Sequence, residues 1–335
     1  MCDRVVVLGN PVLDYTLEIE QLPVEAGQHQ EVHELLVGPG GAANTLIAGA
    51  RLGLAMQVLG VVGDDATGSQ MLDWLRAEGV DVGLVAVERG RRTTTVFVLS
   101  APATGQSFLG FHSACAASPP LRPLAKTGAP AYRKQGTTAM LPTWEEAIRR
   151  AAAFYFDGWT YGTLGPRLVL EAVRLAFGAR VPVFFDPGPL LAHFDPQWLS
   201  DALRCVSVLS LTEDEARTIV SGTKSPEELA RDLRARGPEL VVIKSGAQGC
   251  LVQRDGESAT HPGFTVPVRD TTGAGDAVAA AIILACLRGY DLPRLAALAN
   301  AAGAATVQRL GGGLNLPSAA EIDALLQQGA QVAEN

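Results

Sequence analysis

The chain has 335 residues, 47% of them hydrophobic and 19% charged, with a net charge of −8. That length supports one large α/β core or a core with a small appended unit, and an acidic balance without a basic block argues against a nucleic-acid or membrane surface. The start, Met1-Cys2-Asp3-Arg4, carries no signal-like apolar core, the longest apolar helical run (Ala277 to Leu287) is too short for a bilayer, and the five scattered cysteines form no CxxC, so a cytoplasmic protein with free thiols is expected.

Arg4 to Gly9 is a β-branched apolar run that reads as a buried parallel strand. Asp14 follows it, beyond the carboxyl end where open α/β sheets bind ligands, although an Asp there also suits a turn. Tyr15–Ile19 and Gln30–Val37 alternate partially and read as strands with a polar face. Gly38-Pro39-Gly40-Gly41-Ala42-Ala43-Asn44 then forms a turn into a helix from Thr45 to Leu52. Gly40 and Gly41 allow a close backbone approach, and Asn44 offers a donor and an acceptor to hydroxyls; plain turn chemistry is the simpler alternative. Strands at Val58–Val62 and Val80–Val87 flank a helix at Ser69–Ala77, and Thr93–Leu99 with Ser107–Phe111 forms a hairpin around Thr104-Gly105. Cys115 to Pro142 is proline-rich and without period, and reads as a loop or flap whose basic residues, Arg122, Lys126, Arg133 and Lys134, are solvated or, alternatively, meet an anionic substrate.

From Thr143 the βα alternation is regular, with helices at Trp144–Ala152, Pro166–Phe177 and near Pro196–Leu203, and strands at Phe154–Phe156, Val181–Phe185 and Val206–Leu209. Such alternation means a mostly parallel sheet covered on both faces, with Asp157 and Asp186 on its ligand-facing edge. Thr212-Glu213-Asp214-Glu215 opens a helix, where acidic residues suit the dipole. Leu240–Ile243 leads through the turn Lys244-Ser245-Gly246-Ala247-Gln248-Gly249 into a strand at Cys250–Gln253. A strand-like run, Phe264–Val268, precedes Asp270-Thr271-Thr272-Gly273-Ala274-Gly275-Asp276 and the long helix after it. Unpaired N–H groups at that helix start make an anion site, and two glycines let a ligand approach. Asp276 would repel a bound phosphate, which makes sense if it faces a hydroxyl that must lose a proton to attack that phosphate; the bland alternative is a helix cap. Asp291 caps a further helix that runs through Asn300 to about Gln308, ahead of Gly311-Gly312-Gly313.

The Asp270–Asp276 string resembles the Asp-Thr-x-Gly-Ala-Gly-Asp signature of the ribokinase-like (PfkB) carbohydrate kinases, and the resemblance extends from Val5 to about Pro317. It implies a doubly wound, mostly parallel sheet sandwiched by helices, as one kinase domain over residues 1–335. A small β-sheet lid would be inserted at about 13–38 and 92–112. It further implies that Gly273, Ala274 and Gly275 form the anion hole and that Asp276 is the catalytic base. The Gly-rich segment ending in Asn44 and Ala50-Arg51-Leu52-Gly53 resembles the family's second signature, which places Asp14, Gly40, Gly41 and Asn44 at the sugar, with Asp157 as a further contact. The slot that is Lys in ribokinases holds Gly41, which speaks against ribose.

Thr212–Glu215 resembles the family's Asn-x-x-Glu motif, implying that Glu215 orders water around nucleotide-bound Mg²⁺. The Thr-x-Gly-x-x-Gly nucleotide turn is matched with Ser245 for Thr, followed by Gly246 and Gly249; Thr271, Asn300 and Gly311 complete the nucleotide set. In many relatives Asp270 and the Thr272 carbonyl hold a monovalent cation, so potassium activation is a corollary. The expected activity is transfer of the γ-phosphoryl group of ATP to a sugar or sugar-like hydroxyl by a homodimer joined through the lid. A nucleoside kinase, and a non-catalytic sugar- or nucleotide-binding sensor, are the alternatives. A dinucleotide-binding oxidoreductase is disfavoured because Asn10-Pro11-Val12, not Gly-x-Gly-x-x-Gly, follows the first strand, and no P-loop occurs.

Overall fold

The structure is a computed structural model that describes residues 4–102, 105–111 and 140–333. Thr104 of the expected hairpin turn and the proline-rich segment as far as residue 139 lie outside them. In chain order the first half contains β1 (Arg4–Leu8), β2 (Pro11–Glu18), β3 (Glu34–Gly41), α1 (Ala42–Arg51), β4 (Ala55–Leu59), β5 (Val61–Gly63), α2 (Ala66–Ala77), β6 (Ala86–Glu88), β7 (Thr95–Ala101) and β8 (Gly105–Phe111). There follow α3 (Pro142–Arg150), β9 (Ala153–Asp157), α4 (Gly158–Thr163), α5 (Pro166–Gly178), β10 (Val183–Asp186), α6 (Pro196–Leu203), β11 (Val208–Thr212), α7 (Glu213–Ile219) and α8 (Pro226–Arg234). The chain continues through β12 (Leu240–Lys244), β13 (Cys250–Arg254), β14 (Glu257–His261), α9 (Ala274–Leu287), α10 (Leu292–Thr306) and α11 (Ala319–Ala333).

Eight strands form the main sheet in the order β14-β13-β12-β11-β10-β9-β1-β4, parallel from β12 to β4 and antiparallel at β13 and β14. Its parallel strands are apolar on both faces. In β1, Val5 and Val7 enter one core layer while Val6 and Leu8 enter the other; Tyr155 and Phe154 of β9 divide in the same way. This is what alternation requires of a sheet with helices on both sides. The first layer holds α1, α2, α9 and α10, the second α3, α5, α6 and α8. α9 is buried without a break from Ala277 to Ala285 and has no polar face, so it lies inside the molecule with its first turn at the sheet's carboxyl edge. Among the described residues no helix is long and apolar enough to cross a membrane.

A second sheet of four strands, β3-β2-β7-β8, stands apart, made of the four runs expected to form it. The bounds differ from expectation. β2 starts at Pro11 and so contains Asp14, and Gly38–Gly41 is the end of β3, paired with β2 from Gly41↔Pro11 to Gly38↔Asp14. Val58–Val62 divides at Gly60, where a Cβ would stand 2.3 Å from the Gly9 carbonyl oxygen, and the two pieces join different sheets. Phe264–Val268 is not a strand; Pro262 precedes it and Pro267 lies within it, and neither donates to a ladder. The edge strand is instead the polar β14, reached by an Asp255-Gly256 turn with φ of 43° and 79°, the left-handed pair that a two-residue hairpin needs. Of Val80–Val87 only β6 is strand, and the short α4 was not expected.

Candidate active site

The carboxyl ends of β9, β10, β11 and β12 carry Asp157, Asp186, Thr212 and Lys244, with Asp186 level with Asp157 and Lys244 level with Thr212. The first turn of α9 faces this row. Gly273 precedes the helix with a φ of 79°; Ala274 N donates back to the Thr271 carbonyl at 3.2 Å, while the first-turn N–H groups of Gly275 and Asp276 have no carbonyl of the helix before them to bond. Asp276 lies in the same turn, half-buried. Its Oδ2 accepts from Asn44 Nδ2 at 3.1 Å and its Oδ1 from Thr45 Oγ1 at 2.9 Å. Burial, with Asp157 nearby, pushes its pKa up to about 7, against the lowering effect of those two donors.

Asn44 is in the first turn of α1 and is more constrained than a turn residue would be. Besides its bond to Asp276, its Oδ1 accepts from Gly313 N at 2.8 Å, so both ends of the amide are held by protein. Asn44 therefore orients the carboxylate. Thr45 was missed by sequence reasoning; it is buried and differs from Asn44 only by standing one position further along α1. Asp14 faces the same space. It is buried, its Oδ1 has no partner, and burial together with Asp276 raises its pKa to about 8. Gly40 makes room for it, since a Cβ there would stand 1.8 Å from Asp14 Oδ2. Gly41, with φ 57°, starts α1. Asp157 has a structural task as well. Its Oδ1 accepts from Thr160 N and Thr160 Oγ1, both at 2.9 Å, and so caps α4, while burial raises its pKa to about 6.

The residues expected at a nucleotide are more scattered. Glu215 closes a capping box, its Oε2 accepting from Thr212 N at 2.7 Å, which leaves its other oxygen outside the box. Burial and the neighbouring Asp186 raise the Glu215 pKa. Among the described residues Ser245 Oγ donates to Glu213, at 3.5 Å. Counted back from Gly246, the Thr slot of Thr-x-Gly-x-x-Gly is in fact Lys244, and Lys244 Nζ pairs with Asp186 at the site. Gly246, with φ 56°, opens the turn that follows. Gly249 lets the chain pass the His261 carbonyl oxygen, 1.8 Å from where a Cβ would stand. Asn300 ties α10 to β14 by donating to His261 O at 3.2 Å. Those two positions therefore brace the fold, and Thr271 is exposed beside the turn.

Asp270 and Thr272 form a buried cluster with the second sheet. Asp270 Oδ1 accepts from Ser100 Oγ at 2.9 Å, from Gln106 Nε2, and from Thr272 N and Oγ1 at 3.3 and 3.1 Å; its Oδ2 accepts from Gly311 N at 2.6 Å. Five donors meet a carboxylate with about four lone-pair sites. Four of the five fall on Oδ1, and among the described residues Oδ2 accepts from Gly311 N alone. Hard oxygen groups at Glu215 and Asp186 do suit a magnesium ion held mainly by a ligand's phosphates and its own water. Among the described residues no three His, Cys, Asp or Glu side chains cluster closely enough to hold a metal by themselves.

The sequence pattern of the pfkB family carbohydrate kinases matches residues 3–319. The chain belongs to that family. This pfkB chain is 30% identical over 328 residues to the 2-dehydro-3-deoxygluconokinase of Thermoproteus tenax, covering 96% of this chain and 94% of that protein. It is 29% identical to fructokinase-1 of Zea mays, covering 97% and 98%. The structure of Arabidopsis thaliana ribokinase complexed with ribose and ATP superposes with a TM-score of 0.77 at 23% identity, over 98% of this chain and 99% of that one. The nucleoside kinase of Methanocaldococcus jannaschii does so with a TM-score of 0.75 at 20% identity, over 97% and 98%. The eight-stranded sheet with its separate four-stranded sheet is thus the ribokinase-like fold, and the protein is a carbohydrate kinase of the pfkB family.

Proposed function

We propose that this kinase transfers the γ-phosphoryl group of ATP to a hydroxyl of a sugar or sugar-like acceptor, with Asp276 as general base. The observation that carries the reading is the Asp276 carboxylate, which Asn44 and Thr45 orient at the outward N–H groups of α9 and whose pKa is about 7. A base that titrates near neutrality can take the hydroxyl proton in the transition state and release it afterwards. The N–H groups of the 273–276 turn stabilise charge on the transferring group. Asp14, with an unpartnered buried oxygen, and the Gly40–Gly41 strand end form the acceptor side; near pH 7 its carboxyl is largely protonated and can donate as well as accept. Bound Mg²⁺ would neutralise phosphate charge, with Glu215 in its outer shell. A potassium ion at Asp270 and the Thr272 carbonyl would shape the anion turn, since among the described residues Asp270 Oδ2 accepts from Gly311 N alone.

The four-stranded sheet is assigned as the lid. Its register puts Val37, Tyr15, Phe97 and Leu109 in one row across one face, with Asp14, Ser100 and Gln106 on the other. The latter face looks into the site, and the former meets a second subunit. Relatives act on 2-dehydro-3-deoxygluconate, fructose and, at 26% identity, nucleosides. Gly41 in place of a lysine disfavours ribose, and the acceptor is sought among keto-sugars, sugar acids and nucleosides. The test is ADP release from ATP and Mg²⁺ across a panel of sugars, sugar acids and nucleosides. Acceptor-dependent ADP with at least one sugar is expected; none with any sugar overturns the reading, and turnover of nucleosides alone replaces it with the nucleoside kinase.

A further inference from the structure

Lys244 ends β12, and its Nζ is paired with Asp186 at the end of β10. The two side chains are only 15% and 11% exposed. Nζ also lies 3.9 Å from the point where a Cβ on Gly275 would stand, so the ammonium sits beside the N–H groups of the 273–276 turn. Burial opposes its charge, but Asp186, Glu215 and Asp276 around it prevail, and its pKa is raised. The charge balance of the site asks for such a group. Asp157, Asp186, Glu215 and Asp276 all act on one another or on Lys244 across the site. A triphosphate entering among four carboxyl groups meets repulsion that backbone dipoles and one divalent ion must offset. A lysine at this point supplies a full positive charge on a flexible stem.

Resting on the ATP-dependent reading above, we propose that Lys244 is a phosphate-binding residue of this kinase, its ammonium moving from Asp186 to the γ-phosphoryl oxygens, with Asp186 as the positioning residue. In the step it serves, the bond between the γ-phosphorus and the β–γ bridging oxygen breaks and its electron pair leaves with ADP. The acceptor oxygen bonds to phosphorus, and the hydroxyl proton passes to Asp276. Lys244 keeps its protons throughout and stabilises the oxygens of the group in flight. The residue type hides it in the sequence, because the motif puts a hydroxyl side chain in its slot.

The test compares Lys244→Met and Lys244→Arg with wild type by calorimetric binding of Mg-ATP and of Mg-ADP, and by steady-state kinetics with the acceptor found in the panel. Loss of a charge-assisted contact of about 1.5–3 kcal/mol corresponds to roughly 10- to 100-fold. Lys244→Met is expected to lose about that factor in kcat/KM for ATP, to lose ATP affinity but little ADP affinity, and to keep the acceptor KM; Lys244→Arg restores part of the loss. The double variant Lys244→Met/Asp186→Asn removes both charges, so it folds where the single variant leaves a carboxylate unpaired, and it is expected to show the same ATP-selective loss. If ATP and ADP weaken equally, or neither changes and kcat stays within threefold, the assignment is overturned and Lys244 only ties β12 to β10. A wild type that binds neither nucleotide overturns the ATP reading, and this assignment with it.

Discussion

At Asp276 the environment decides the chemistry. The carboxylate is raised to about 7 by burial and by Asp157. The base form exists above that value, so acceptor kcat/KM is expected to fall about tenfold per pH unit below pH 7 and to level above it. A profile that stays flat down to pH 5 contradicts this. Asp276→Asn is expected to lose about 10²–10⁴ in kcat with ATP affinity almost unchanged; a variant within a few-fold of wild type removes the base assignment. Asn44 donates to the charged form of Asp276 and thereby lowers its pKa. Asn44→Ala should therefore move the acid limb of the pH profile upward and reduce kcat, by a loss worth about 1–3 kcal/mol for the buried partners it abandons. A rise in acceptor KM with an unmoved profile would instead place Asn44 on the substrate.

The elements explain how much of this the sequence disclosed. α9 was legible because its apolar run is unbroken, and its capping string is dense in glycine and acid. The parallel strands were legible for the same reason. β14 was not, because a polar edge strand carries neither an apolar run nor clear alternation; only the Asp255-Gly256 turn announced it. The site itself was legible in its residue types more than in their tasks. Asp157 and Asn44 were placed at the substrate, yet their hydrogen bonds go to α4 and to Asp276. A motif names a position, whereas a role depends on which partners the fold brings within 3 Å. The β2–β3 ladder shows this directly. Gly40 is needed for the room it leaves Asp14, its virtual Cβ being 1.8 Å from Oδ2. Gly40→Ala is accordingly expected to displace Asp14, raising the acceptor KM about tenfold or more, the worth of one lost hydrogen bond, while the ATP KM stays put. An unchanged acceptor KM in a folded variant would detach Asp14 from the acceptor.

At the scale of the molecule the second sheet poses the remaining physical problem. One of its faces carries the apolar row Val37, Tyr15, Phe97 and Leu109, and Val37, Phe97 and Leu109 are 46%, 39% and 58% exposed, with Leu35 beside them at 54%. An exposed apolar sheet face of this kind marks an association surface, and a small sheet alone is marginal in water. The opposite face is already anchored, since Ser100 and Gln106 hold Asp270 beside the anion turn and Phe108 meets Trp159 of α4 at 6.1 Å. With one face docked over the site, a second copy is the proposed cover of the other. The kinase is therefore expected to be a dimer in solution, and a charge placed in the row, Phe97→Asp, should dissociate it. The same docking ties water exclusion to the lid, so ATP hydrolysis without acceptor should run far below the kinase rate. Light scattering that finds a wild-type monomer disproves the interface, and a Phe97→Asp dimer moves it elsewhere. Rapid acceptor-independent hydrolysis by an intact dimer would show that the sheet joins subunits without gating the chemistry.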